Sequence, residues 1–284
     1  MAKSWQPGPA WLFCPADRPD RYPKALAAAD VVILDLEDAV APERKAGARD
    51  ALRALVGDGT LDSERTVVRI NGFGSVEHGA DLRLVDELSI PRVMLAKTED
   101  PAQVRVVPGE VVALVETARG LEKVGELTEA ENLVGMMWGA DDLVASLGGT
   151  TSRFPDGGYR DLARFARVRT LVATKSAGLF ALDAVHMDIP DADGLRAECA
   201  DAVASGFDGT VAIHPSQIAV IRASYAPTAA QIDWAQRLFT HVGDDRGVTT
   251  FEGRMVDGPI YKQAERVIRL AAMTGVVTKE ASGR

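Results

Sequence analysis

Short apolar runs recur along the chain, separated by polar and helix-forming segments. Eight of them read as strands: 11–14 (Trp-Leu-Phe-Cys), 31–35 (Val-Val-Ile-Leu-Asp), 66–70 (Thr-Val-Val-Arg-Ile), 92–96 (Arg-Val-Met-Leu-Ala), 111–115, 133–138, 182–186 (Leu-Asp-Ala-Val-His) and 210–214 (Thr-Val-Ala-Ile-His). Near-continuous apolar runs of this length suit parallel strands covered on both faces. Between them lie Ala-rich segments, such as 21–29, 43–56, 160–177 and 194–205, that read as helices. Alternation of strand and helix predicts a parallel sheet. Eight units in about 220 residues suit a closed (β/α)8 TIM barrel, whose usual size is about 250 residues. The competing open, doubly wound sheet calls for a Gly-x-Gly-x-x-Gly turn after its first strand. Cys14-Pro15-Ala16-Asp17-Arg18-Pro19 supplies none.

Beyond the eighth run the pattern changes. Residues 228–241 read as a helix capped by Thr228, 243–259 as a glycine-rich loop, and 260–273 as a last helix. The predicted α/β architecture is therefore a barrel over 1–225 with a C-terminal helical extension over 226–284. That extension would serve as a strap, a lid, or an arm onto a neighbouring subunit.

Composition narrows the partners. With 46% hydrophobic residues in 284, the chain can bury a large core. Its 32 Lys and Arg face 41 Asp and Glu, a net charge of −9, and no Lys/Arg block is present to bind a phosphate backbone. Nucleic acid is therefore not an expected partner, although a local basic patch for a small anion stays open. Cys14 and Cys199 form no C-x-x-C pair and read as reduced thiols. The start, Met-Ala-Lys-Ser-Trp-Gln-Pro-Gly-Pro, lacks the apolar core of a signal peptide. No apolar run approaches the roughly 20 residues that span a bilayer. A soluble, cytoplasmic protein without a membrane partner is expected.

In a barrel the strand ends converge on one face, where ligands bind. Glu116 follows the fifth run and Asp142 the sixth. Two carboxylates delivered to that face suit Mg²⁺, a hard cation that completes its shell with water and substrate oxygens. The pair points to an enzyme acting on an oxygen-rich substrate. Other strand ends add Arg18, then Asp35, Glu37 and Asp38, then Arg69 and Asn71, then Lys97, Asp141 and His214. Arg69, inside Val-Val-Arg-Ile-Asn, should point into the barrel mouth and there needs a carboxylate. That carboxylate is either a structural partner, Glu37 or Asp38, or an oxyanion of the substrate gripped by the guanidinium fork. The acids at 35–38 read as metal ligands, as acceptors for metal-bound water, or simply as acids favoured at a helix N-terminus. His214 and His186 read as pocket hydrogen-bonding groups or as satisfied wall histidines, and His78 and His241 fall in segments expected at the surface.

These residues stand in ordered blocks. They are Leu12-Phe13-Cys14-Pro15-Ala16-Asp17-Arg18-Pro19, then Asp35-Leu36-Glu37-Asp38-Ala39-Val40 with Lys45 and Arg49, then Val68-Arg69-Ile70-Asn71. Glu116-Thr117-Ala118-Arg119-Gly120, Gly139-Ala140-Asp141-Asp142-Leu143, Gly206-Phe207-Asp208-Gly209 with Ile213-His214-Pro215-Ser216-Gln217, and Gly253-Arg254-Met255-Val256-Asp257 follow. Together they resemble the citrate lyase beta-subunit-like group of the HpcH/HpaI aldolase superfamily, relatives of malyl-CoA and citramalyl-CoA lyases. The resemblance implies a homotrimer of (β/α)8 barrels with Mg²⁺ on Glu116 and Asp142, and Arg69 on the keto-acid oxygens. It also implies coenzyme A near the Arg18 loop and Asp257 reaching a neighbouring subunit's site as catalytic acid or base. Arg18, Arg69, Glu37, Asp38, Lys97 and His214 form the expected substrate- and CoA-binding set. The implied reaction is reversible cleavage of a citramalyl-, malyl- or hydroxymethylglutaryl-CoA-like 3-hydroxyacyl-CoA to an acyl-CoA such as acetyl-CoA and a keto acid.

Three alternatives stand beside it: a class II aldolase acting on free keto-hydroxy acids, a subunit of an acyl-carrier-dependent citrate lyase complex, and a non-catalytic keto-acid or CoA binding protein. Asp257 and the Arg18 loop favour the free-standing CoA lyase. Read from the residues alone, Asp257 is a cap for the last helix, with Pro259 in its first turn. Lys175-Ser176, His186 and Trp138 depart from the group's usual residues, and the last two would reshape the pocket.

Overall fold

Eight strands hydrogen-bond in sequence order, all parallel, and the eighth closes onto the first. They are β1 (Ala10–Pro15), β2 (Val31–Asp35), β3 (Thr66–Ile70), β4 (Arg92–Leu95), β5 (Glu110–Val115), β6 (Leu133–Trp138), β7 (Phe180–Asp183) and β8 (Gly209–Ala212). The computed structural model describes residues 5, 7–244 and 246–276. Most of the segment read for targeting, and residues 277–284 of the extension, lie outside these. No helix among the described residues is long and apolar enough to cross a membrane.

Strand periodicity builds two layers of core, because successive side chains face opposite sides of a strand. Trp11, Ile33, Val67, Met94, Val112, Leu114, Met137, Leu182 and Val211, drawn from all eight strands, form the cluster inside the barrel. The alternate positions, among them Leu12, Leu34, Val68, Val93 and Ala113, join the layer beneath the helices.

Those helices are α1 (Tyr22–Ala28), α2 (Lys45–Gly57), α3 (His78–Glu87), α4 (Pro101–Arg105), α5 (Ala118–Glu122), α6 (Ala140–Ser146), α7 (Asp161–Ser176), α8 (Ala192–Ser205) and α9 (Pro215–Tyr225). In α2 the buried residues Ala48, Leu52 and Leu55 recur at helical spacing on one face. Gly206 ends α8 with φ +111°, a left-handed cap that side chains resist.

Helices α10 (Ala229–Val242) and α11 (Gly258–Met273) follow the barrel. Thr228 and Gln231 exchange hydrogen bonds in a capping box that starts α10. The segment read as a loop, 243–259, instead holds an antiparallel hairpin, β9 (Thr249–Phe251) and β10 (Arg254–Val256). Glu252 and Gly253 join the strands with φ of +49° and +74°, a positive-φ pair that suits a two-residue hairpin turn. Strands of three residues around a Glu-Gly turn carry too little pattern to be seen in sequence. Hairpin and helices share a small core of their own, Ala235, Leu238, Val256, Tyr261 and Ala264. Helix α11 also reaches the barrel, through Leu270 in the main core and Arg266 on the Phe207 carbonyl at 2.5 Å.

Candidate active site

Continuing the inward-facing rows by one step past Ile33, Val67 and Leu114 brings Asp35, Arg69 and Glu116 to the barrel mouth. All three are buried. The β2–β3 register sets Asp35 directly beside Arg69. Arg69 grips Asp35 with a fork, Nε donating to Oδ1 at 2.7 Å and Nη2 to Oδ2 at 2.5 Å. Its Nη1 lies 3.3 Å from Glu37 Oε2, and the guanidinium stacks 4.4 Å from the Phe13 ring centroid. The expected partners of Arg69 therefore need correcting. Asp35 is the principal one, Glu37 is secondary, and Asp38 makes no pair with it. Although burial opposes the charge, Asp35 and Glu37 hold the guanidinium protonated, well above its ordinary range. The acids at 37 and 38 stand in a turn rather than at a helix N-terminus, and α2 begins only at Lys45.

Glu116 has no such cation bonded to it. It accepts one hydrogen bond, from the Lys97 N–H to Oε1 at 3.0 Å. A Cβ at residue 139 would come within 2.8 Å of Glu116 Oε2, so only glycine leaves that oxygen clear. Burial first, then the charge of Asp142, push the Glu116 carboxyl up to about 8 against the pull of Arg69 and Lys97. Asp142, in the first turn of α6, is half-exposed and lies 3.6 Å from Lys97 Nζ. Two hard oxygen donors, one desolvated and repelled by the other, fit a divalent cation. Among the described residues no group of three or more His, Cys, Asp or Glu forms a closed metal cage. A two-carboxylate site that leaves room for water and substrate oxygens is the arrangement Mg²⁺ favours.

The mouth opens into a cavity of about 150 Å³. Arg69, Glu116 and Asp142 lie on its lining, with Phe13, Leu114, Met137, Val185 and Met187 as apolar wall. A profile of the HpcH/HpaI aldolase/citrate lyase family matches residues 10–215. The chain belongs to that family.

A citrate lyase subunit beta-like protein of Mycobacterium tuberculosis is 53% identical over 265 residues, 93% of this chain and 96% of that one. The mitochondrial citramalyl-CoA lyase of Rattus norvegicus is 32% identical, over 85% of this chain and 79% of its own. The crystal structure of CitE from Mycobacterium tuberculosis in complex with magnesium, acetoacetate and coenzyme A superposes with a TM-score of 0.85. It is 52% identical and covers 94% of this chain and 98% of that chain. The protein is an enzyme of the carbon–carbon lyase class to which this aldolase/citrate lyase family belongs.

Within this aldolase-type barrel, Arg69, Glu37, Asp38, Lys97, Glu116 and Asp142 form one connected cluster. Lys97 Nζ ion-pairs with Glu37 and lies 3.1 Å from Asp38 Oδ2. Arg18, His214 and Asp257 make no hydrogen bond or ion pair with that cluster. Arg18 is exposed beyond β1, 3.5 Å from Asp20. His214 is the exposed N-cap of α9, its imidazole accepting from the Ser216 N–H at 3.2 Å. Asp257 stands at the N-cap position of α11 without a capping hydrogen bond from its side chain, contrary to the cap reading.

Two histidines also move. β7 ends at Asp183, so His186 lies beyond it, buried, with Nδ1 3.0 Å from Glu198. His78, expected at the surface, is buried with Nδ1 2.8 Å from the Asn71 carbonyl.

The cavity's outer wall was not legible in the sequence. Residues 151–160 fold back on themselves through an Arg153–Tyr159 bridge. Arg153 ion-pairs with Glu198 and stacks 3.9 Å from the Tyr159 ring centroid, while Tyr159 packs edge-on against Trp138 at 5.2 Å. Such an irregular loop has no periodicity to read. Arg153 and Tyr159, close together in sequence, were its one available signal.

Proposed function

We propose that the protein is a Mg²⁺-dependent, reversible lyase that cleaves a 3-hydroxyacyl-CoA of the citramalyl-, malyl- or hydroxymethylglutaryl-CoA type to an acyl-CoA, such as acetyl-CoA, and a keto acid. The observation that carries this reading is the metal-fitting pair of buried Glu116 and half-exposed Asp142 beside the anchored fork of Arg69. The magnesium, acetoacetate and coenzyme A bound by the Mycobacterium tuberculosis relative support it. Glu116 and Asp142 would hold the cation. Bound there, it supplies Lewis-acid polarisation of the substrate's hydroxyl, later keto, oxygen.

Arg69 is already aimed, because Asp35 and the Phe13 ring fix its plane. A donor that needs no reorganisation stabilises charge as it develops on that oxygen. When the C–C bond breaks, its electron pair leaves with the thioester fragment as an enolate. Asp257 delivers a proton to that carbon, and the hydroxyl loses its own to water as it becomes a carbonyl, so protons balance. In the condensing direction Asp257 removes the proton from the acyl-CoA methyl. Asp257 acts from a neighbouring subunit of a homotrimer, brought by the extension beyond residue 225. The Arg18 loop, with Glu37, Asp38, Lys97 and His214 around the rim, is the approach we assign to coenzyme A and the keto acid, in a cytoplasmic enzyme.

The test is a panel of 3-hydroxyacyl-CoAs with Mg²⁺, products identified by mass. The reading expects matched acyl-CoA and keto acid from at least one ester, and none in excess chelator. Release of free CoA with an intact hydroxy acid would make the protein a thioesterase. Equal cleavage of the free hydroxy acid would make it a CoA-independent aldolase.

A further inference from the structure

Lys97 adopts φ +51°, a left-handed conformation that is rare and strained for a residue with a side chain. Both of its ends are in use. The N–H holds Glu116 Oε1 at 3.0 Å, and Nζ stands among Glu37, Asp38 Oδ2 at 3.1 Å and Asp142 Oδ1 at 3.6 Å. A glycine would meet that backbone without strain and keep the N–H, so what lysine adds at this position is its ammonium. The other nearby cations are committed elsewhere. Arg69 is bound to Asp35, and Lys45 directs Nζ to the Leu36 and Glu37 carbonyls and Asn71 Oδ1, each at 2.9 Å. Glu37 also draws on Arg69, 3.3 Å from its Oε2, whereas Asp38 and Asp142 pair, among the described residues, with the Lys97 ammonium alone.

We propose that Lys97 is the resident countercation of the metal-free site. It competes with the metal for Asp142, and on metal binding its ammonium stays with Glu37 and Asp38 alone. The inference rests on Glu116 and Asp142 being the metal ligands. It distinguishes three roles for Lys97 by the sign of one quantity. A residue that only positions the ligands would, when removed, weaken metal binding. A residue that only contacts substrate would leave it unchanged. A competing cation, when removed, tightens it, because like charges a few ångströms apart in a partly buried site repel strongly.

The experiment is calorimetric titration of the full chain with MgCl₂, without substrate, comparing wild type with Lys97→Met, Lys97→Arg and Glu116→Ala. Met keeps the aliphatic stem and the same backbone strain. It should bind Mg²⁺ about tenfold more tightly than wild type. Its metal-free Tm should fall, and the rise in Tm on adding Mg²⁺ should exceed that of wild type. Arg keeps the charge and should stay within about twofold of wild-type affinity. Equal or weaker Mg²⁺ binding by Lys97→Met overturns the proposal. Should that variant fail to fold, Lys97→Gly, which relieves the positive φ, carries the same expectation. Wild-type binding lost in Glu116→Ala, with Lys97→Met unchanged, removes only the Lys97 assignment. No wild-type binding that depends on Glu116 removes the metal site and this inference together.

Discussion

At the barrel mouth the functional acids are gripped. Asp35 accepts four hydrogen bonds, two from Arg69 and two from the backbone N–H groups of Glu37 and Ala39. Glu37 is held by Lys97, and Glu116 by the Lys97 backbone. In the C-terminal appendage Asp257 heads α11 with a carboxylate that makes no hydrogen bond or ion pair with any described residue. The contrast separates two demands of the proposed chemistry. Donors and ligands that stabilise developing charge work best when fixed beforehand. A carboxylate that must move a proton at so weakly acidic a carbon works best when its arrival also excludes water. In the proposed reading one half of the site is built into the barrel, and Asp257 is the half delivered to it.

The comparison breaks most visibly at Glu116. Glu116→Gln should reduce cleavage to background and abolish Mg²⁺ binding by calorimetry, while circular dichroism shows an intact fold. Asp257→Asn should lower turnover by about 10²–10⁴-fold, the usual range for a lost general acid or base. Because its side chain holds nothing, Mg²⁺ affinity should be unchanged and stability should move by less than about 0.5 kcal/mol in denaturant titration. Asp35→Asn sharpens the contrast. Asp35 touches no substrate in this account, yet loosening the Arg69 fork should cost about ten- to a hundredfold in kcat/KM, equivalent to about 1.4–3 kcal/mol. It should also lower stability, because it leaves a buried guanidinium poorly paired.

The last effect is on pH. The Glu116 carboxyl is raised in the folded state from its ordinary 4.5 to about 8, so the unfolded chain gives up this proton first. The associated stability is complete below the unfolded value and is lost as pH rises towards about 8. Melts of metal-free protein should therefore show a component declining across that window, absent from Glu116→Gln and suppressed by saturating Mg²⁺.

The barrel was legible because strands covered on both faces leave contiguous apolar runs, and all eight fell within two residues of those runs at their starts. The seventh ran too far. Leu182-Asp183-Ala184-Val185 continues the apolar pattern past Asp183, where the strand in fact ends; the Asp183 carboxylate there accepts from Trp138 Nε1 at 2.6 Å and pairs with Arg167. The clasp of Asp35 on Arg69 was legible in principle. Each is the last inward-facing position of its strand, and adjacent parallel strands bring such positions side by side. The expected pair with Glu37 or Asp38 holds only for Glu37, as a secondary contact. The role of Lys97 was not legible, because it depends on a positive φ and on three loops meeting across the mouth. Nor was the hairpin that precedes Asp257, whose strands are too short to carry a period.

The division of the site between a barrel and a neighbour's appendage is tested most directly by mixing two inactive proteins. Asp257→Asn and Glu116→Ala subunits are dissociated, combined and reassembled, with exchange verified by mass. If Asp257 serves an adjacent subunit, both defects fall together on some sites, others become wholly wild type, and cleavage of the 3-hydroxyacyl-CoA returns. No recovery after verified exchange would place Asp257 in its own subunit's site and would contradict the account.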